Sequence, residues 1–188
     1  MSQPPDSDLT ETRIHSESVY EGSFLKVRRD TVRLPNGREG TREYIVHPGA
    51  VVVIGFVDEQ RVVMLRQYRY PVQRVIVEFP AGKLDPDEAP LECARRELLE
   101  ETGYTASEWI QVGQMHLAVG YSDEVIHIFV ARGLTAGPRQ LDEDEFLHVD
   151  LLPVDNVLAA CRSGAITDAK SLTCALWLQN IHEGRWQA

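Results

Sequence analysis

Residues 82–104, GKLDPDEAPLECARRELLEETGY, narrow what this 188-residue chain can become more than any other stretch. Pro90 suits the first turn of a helix and Gly103 suits its C-terminal stop, so the spacing predicts a helix over 90–102. At about 100° per residue, Leu91, Ala94 and Leu98 fall on one face and make the buried stripe. Glu97 and Glu101 lie one turn apart along the edge of that stripe, and Glu100 flanks Glu97. The segment holds seven carboxylates. Crowded carboxylates raise one another's pKa unless a cation neutralises them. A solvated acidic face paired with arginine is the bland account of such a helix. A hard divalent cation is the sharper one, because Mg²⁺ takes one or two carboxylates, keeps several waters and completes its shell with phosphate oxygens.

The rest of the chain sets bounds on that choice. A formal net charge of −10 argues against a nucleic-acid surface. An acidic protein still handles an anionic substrate where metal ions and a few arginines reverse the local field. The longest apolar run, AVVVIGFV at 50–57, is far too short to cross a bilayer. The polar, proline-bearing start MSQPPDSDLTETR does not read as a signal peptide. Cys93, Cys161 and Cys174 stand far apart with no CxxC pair, as in a reducing compartment. A cytoplasmic enzyme or binding protein is expected.

Along the chain, residues 1–13 are expected to form an unstructured tail and 14–48 a small antiparallel β subdomain. Within the latter, FLKVRRDTVRL and REGTREYIV flank the turn signal PNG. The remaining domain, 49–188, opens with GAVVVIGFV, read as a buried strand whose hairpin partner is RVVMLRQYRY. RVIVEFP is a further strand that Pro80 stops. After the helix come strands at WIQVGQMHLA, EVIHIFVAR and FLHVDLL. Two more helices follow, one closed by Gly164 and one capped by Thr167 or Asp168. The pattern predicts an α/β sandwich with a mixed sheet covered by helices, plus the small N-terminal antiparallel sheet.

Gly82, Glu88, Arg96, Glu97, Glu100, Glu101 and Gly103 fit G-x5-E-x7-R-E-U-x-E-E-x-G-U, with Leu98 and Tyr104 at the apolar U positions. At roughly 6% usage per residue, seven fixed positions match by chance about once in 10⁸ windows. The segment resembles the Nudix box, and the chain is identified on it as similar to the Nudix hydrolases, which cleave nucleoside diphosphates linked to another moiety. REYIVHPGAVVVI, LRQYRYPV and VEFPAGKLD also resemble the ADP-ribose pyrophosphatase branch. The resemblance implies a Nudix-type α/β/α sandwich and a hydrolase that releases AMP and ribose 5-phosphate from ADP-ribose. Mg²⁺ is the implied cofactor, with Mn²⁺ as a substitute.

The same resemblance implies roles for individual residues. Glu97 and Glu101 match the principal metal ligands, with Glu100 assisting and the backbone carbonyl of Ala81 as a fourth ligand. Glu97 and Glu101 thereby count as catalytic. In the loop LDEDEF, Glu145 best matches the acid that deprotonates the attacking water, and Glu143 is second. Arg42 in TREY and Arg69 in RQYR match substrate-binding arginines, against a plain surface-strand role for each. Glu78 contacts substrate or pairs with an arginine. Ser122 in GYSDE touches a phosphate or ribose, or serves a turn. Arg96 and Glu88 read as a supporting ion pair, and Gly82 and Gly103 as turn residues or points of close backbone approach.

Val119 departs from the branch, which carries proline at that position, sixteen residues beyond Gly103. GDP-mannose or another nucleotide sugar is therefore the alternative substrate. A non-catalytic nucleotide sensor on the same fold is the alternative of a different class, disfavoured by the complete box. The branch also implies a homodimer through the N-terminal sheet, with Arg42 reaching the second subunit, and neither nucleic-acid nor membrane partners.

Overall fold

A computed structural model describes residues 9–141 and 146–187 of the chain, which divides into two compact units. The smaller takes in the chain up to His47 together with Ala118–Glu124. It contains β1 (Thr12–Glu21), β2 (Lys26–Arg33) and β3 (Glu39–Val46), paired antiparallel in that order. The PNG signal makes the turn between β2 and β3, where Gly37 donates its N–H to the Leu34 carbonyl at 2.9 Å. Residues 118–124 run beside β3, with the Ile45 N–H donating to the Tyr121 carbonyl at 2.9 Å.

Strand β1 begins at Thr12, two residues inside the stretch expected to be an unstructured tail. The reason lies in its burial. Nearly all of TRIHSESVYE is exposed, so no hydrophobic face announces its start. The unit also draws in Ala118–Glu124, which a boundary at residue 48 leaves with the other domain.

The larger unit is built on two sheets. One has the order β7-β4-β9-β8, comprising β4 (Ala50–Gly55), β7 (Ala81–Lys83), β8 (Tyr104–His116) and β9 (Val125–Ala136). Strands β4 and β9 run parallel and the other pairs antiparallel, so this sheet is mixed. The second sheet has the order β10-β5-β6, from β5 (Arg61–Arg69), β6 (Arg74–Glu78) and β10 (Leu147–Pro153). Val57 N–H donates to the Arg61 carbonyl at 2.9 Å, as in a tight turn. Yet β4 and β5 part into different sheets, which corrects the expected hairpin. The apolar run of β4 carries no sign of this parting. Side chains alternate across a strand, and both of its faces are buried.

Val52 and Ile54 join Met64, Phe79, Ile128 and Val130 in a core covered by α2 (Val154–Ser163) and α3 (Ala169–His182), through Val157, Cys174 and Leu178. Val51 and Val53 face the other way, onto Cys93, Ala94 and Leu98 of α1 (Pro90–Thr102). Helices therefore cover both faces, giving the mixed α/β architecture. Each fully buried side chain such as Leu98 contributes roughly 1.5–3 kcal/mol. That anchorage fixes the rotation of α1 and hence the direction in which its glutamates point.

Candidate metal and diphosphate site

Helix α1 starts at Pro90 with no side-chain cap and ends at Gly103, whose φ of 76° lets its N–H reach the Leu99 carbonyl at 2.8 Å. Cys93, Ala94 and Leu98 make its buried face, and Leu91 is only half-buried. The glutamates do not share one depth. The Glu100 side chain is 35% exposed, Glu97 is 13% exposed and Glu101 is buried. Glu101 thus lies deeper than the rim position the helical wheel suggests.

Arg96 sits among these acids. Its Nε and Nη2 donate to Glu88, each at 2.9 Å, and its Nη1 donates to Glu97 at 2.8 Å and to Glu100 at 3.1 Å. A further bond from Nη2 reaches the Lys83 carbonyl at 3.0 Å. The guanidinium thus ties the loop before α1 to two of the box glutamates, using the planar fork that lysine lacks. Hydrogen bonds from Arg96 hold the Glu88 pKa down at about 2, against 4.5 ordinarily. Glu88 in turn is the main reason that the Arg96 pKa is raised.

A carboxylate depressed in the folded state contributes stability above its unfolded pKa and loses it as pH falls through the folded one. Glu88→Gln should therefore melt lower than the parent at about pH 6, and the gap should close steadily as pH falls from about 4.5 toward about 2. A gap that stays constant across that acid range contradicts the ion-pair account. The cysteines take no part in this chemistry. Burial pushes the Cys93 thiol up to about 12 and raises those of Cys161 and Cys174, leaving none of them a ready thiolate.

Strand β7 runs beside α1. The Ala81 N–H donates to the Glu101 carboxylate at 3.0 Å, so the residue proposed to offer its carbonyl is pinned to one of the acids. At Gly82 a Cβ would stand 1.9 Å from the Glu97 carboxyl carbon. Gly82 is absent from the positive-φ residues, so close approach, not a left-handed turn, is what requires glycine there. Among the described residues, no group of three His, Cys, Asp or Glu side chains is gathered closely enough to hold a metal ion alone. A hard divalent cation does not need such a cage, since waters and substrate phosphates complete its shell. The donors present are all oxygen, carried on one rigid helix and the strand pinned to it, and this set fits such a cation.

The side chain of Glu78 at the end of β6 is 2% exposed, and it accepts a hydrogen bond from Arg69 Nε at 2.8 Å. Burial works to lower the Arg69 pKa, yet Glu78, with the charges of Glu101 and Asp168 behind it, holds it above its ordinary value. The second Glu78 oxygen accepts from Lys170 on α3, a residue the sequence did not single out. Lys170 also pairs with Asp168 at 3.1 Å. Asp168 caps α3 through the Ser171 N–H at 2.9 Å, and the buried Ser171 hydroxyl accepts the Phe79 N–H at 3.1 Å. Lys170 and Glu78 lie 92 positions apart, and no spacing rule links them.

In the smaller unit, Arg42 and Ser122 line a pocket of about 420 Å³ with Thr41, Tyr44, Val119 and Tyr121. Arg42 pairs with Glu11 and donates to the Thr41 carbonyl at 2.9 Å. The Ser122 hydroxyl accepts the Glu124 N–H at 3.2 Å, a local turn bond. The structure therefore gathers Arg42 and Ser122 in one unit, and Arg69, Glu78, Ala81, Glu97, Glu100 and Glu101 in the other. Glu143 and Glu145 lie outside the described residues.

The chain is similar to known proteins. Residues 46–173 match the NUDIX domain, and residues 11–45 match the nucleoside diphosphate sugar hydrolase N-terminal domain. An ADP-ribose pyrophosphatase of Bacillus subtilis (strain 168) is 39% identical over 91% of this chain and 94% of its own length. A methanol dehydrogenase activator of Bacillus methanolicus is 40% identical over 90% and 92%. A GDP-mannose pyrophosphatase of Salmonella typhimurium is 32% identical over 71% and 74%. A solved ADP compounds hydrolase superposes with a TM-score of 0.81 at 25% identity, over 95% of this chain and 98% of that one. With two thirds of its length in that match and the box glutamates carried on α1, the chain belongs to the NUDIX domain family.

Proposed function

We propose that this protein is a divalent-metal-dependent hydrolase that cleaves the P–O–P bond of ADP-ribose to AMP and ribose 5-phosphate. The observation that carries it is the acid row of α1 held beside the Ala81–Gly82 backbone, a hard-oxygen edge suited to a metal-bound diphosphate. The likeness to an ADP-ribose pyrophosphatase over nearly the whole of both chains supports the substrate. Glu97, Glu100, Glu101 and the Ala81 carbonyl are the proposed ligands, for Mg²⁺ or for Mn²⁺ in its place. A bound Mg²⁺ supplies charge neutralisation at the phosphate oxygens and lowers the pKa of water.

The chain's own residues supply the rest. Arg69 turns a guanidinium to the diphosphate oxygens, a geometry that suits bidentate recognition. Glu145, or Glu143, takes the proton from the attacking water. The water oxygen then bonds to phosphorus, and the bridging P–O bond breaks toward the departing phosphate. Arg42 and Ser122, which line the pocket of the smaller unit, are proposed as substrate contacts, with Arg42 reaching the substrate of the second subunit.

Val119 is 80% exposed and lines that pocket in place of the branch's proline, and a GDP-mannose pyrophosphatase is also similar to this chain. GDP-mannose is therefore the second substrate reading. A panel of nucleoside diphosphate derivatives with product analysis separates the two. ADP-ribose should yield AMP fastest, and Glu145→Gln should lower that rate on the order of 10²-fold. GDP-mannose consumed while ADP-ribose is untouched overturns the first reading. We further infer a homodimer formed through β1–β3, because β1 is an exposed edge strand carrying Ile14, Val19 and Tyr20 in the open, and a cytoplasmic location, because Cys93, Cys161 and Cys174 are free thiols. Light scattering of the same preparation should return the mass of two chains, and the mass of one overturns it.

A further inference from the structure

Glu78 is almost wholly buried, yet two cations share it. Arg69 Nε takes one oxygen and Lys170 Nζ the other. A buried carboxylate demands compensation for its lost hydration. Left with Arg69 alone, it would draw the guanidinium into the two-pronged pairing that arginine and carboxylate favour. Both prongs of the fork would then be spent inside the protein. With Lys170 on the second oxygen, Arg69 meets Glu78 through Nε, and its terminal nitrogens make no hydrogen bond to any described residue. The Arg69 side chain is 43% exposed, so that outer edge faces solvent.

Lys170 is itself fixed from behind. Asp168 holds it at 3.1 Å while capping α3, and Ser171 in the next position holds the Phe79 N–H. Glu78, Arg69, Lys170 and Asp168 together form a charge-balanced set of two acids and two bases. The set links the N-terminus of α3 to the strand that leads into Ala81 and Gly82.

We propose that Lys170 is a positioning residue: by occupying the second oxygen of Glu78, it makes Arg69 present its terminal nitrogens to the substrate diphosphate. The proposal rests on the reading of this edge as the diphosphate site. Because Arg69 grips an anion already present in the ground state, loss of the positioning raises KM more than it lowers kcat. Lys170→Met should raise KM for ADP-ribose about 10-fold while kcat falls less than about 3-fold. Lys170→Arg, which keeps the cation, should stay within about 3-fold of the parent in KM and serves should Lys170→Met fail to fold.

The decisive comparison repeats Lys170→Met in a Glu78→Gln background. With no buried charge left to capture Arg69, the second substitution should change KM less than about 2-fold. An equal KM penalty in both backgrounds, or none in the first, overturns the proposal. Affinity for inorganic pyrophosphate with Mg²⁺, measured by calorimetry on the parent, Lys170→Met, Glu78→Gln and the double variant, should follow the same pattern. That readout stands even if ADP-ribose proves not to be the substrate. A parent protein that binds no pyrophosphate overturns it.

Discussion

Glu101→Gln should leave the fold intact and lower kcat on the order of 10³-fold, and Glu97→Gln should do nearly the same. Glu101 is buried and accepts the Ala81 N–H at 3.0 Å. A glutamine there keeps the shape and an acceptor oxygen, so β7 stays pinned to α1. What disappears is one negative charge. If the role of Glu101 were to hold β7 in place, the amide would serve as well as the acid. If its role is to bind a divalent cation, the loss removes several kcal/mol of transition-state stabilisation. At Glu97 the Arg96 contact of 2.8 Å survives in the same way, because an amide oxygen still accepts it. Circular dichroism and thermal melts on the variants separate the two accounts. Intact folding with turnover near that of the parent excludes the metal role.

Gly82→Ala is the second large effect, and it works by geometry instead of charge. The added Cβ would lie 1.9 Å from the Glu97 carboxyl carbon and 2.3 Å from its far oxygen. Something has to move, and the end of a flexible side chain is the cheapest thing to move. Stability should therefore fall by no more than about 1 kcal/mol, while activity drops on the order of 10²-fold as the Glu97 carboxylate is displaced. A metal titration should show weakened Mn²⁺ binding in the same variant. Unchanged turnover in a well-folded Gly82→Ala protein would mean that the position of Glu97 does not matter.

Helix α1 was readable from the sequence to both ends, because Pro90 and Gly103 mark its limits chemically and Ala94 and Leu98 set its buried face. The ion pair of Arg96 with Glu88 was readable for a similar reason: both lie in one local segment. Other features depend on contacts that local spacing does not encode. The wheel assigned the glutamates a common edge, but the packing of β7 buries Glu101 more deeply than Glu100. Strand β1 carries no buried stripe, so only its ladder with β2 reveals where it starts. The apolar run at β4 gave no sign that β4 and β5 separate, since a strand buried on both faces reads alike in either arrangement. Lys170 lies in TDAKS as an ordinary helix-start lysine, and folding alone brings it to Glu78.

The central claim is that the acids of α1 work through a divalent ion on a diphosphate. Chelation tests it most directly. Protein assayed with its best nucleoside diphosphate substrate in excess EDTA should form no product, and added Mg²⁺ should restore the full rate. Undiminished hydrolysis with every divalent ion removed would contradict the account.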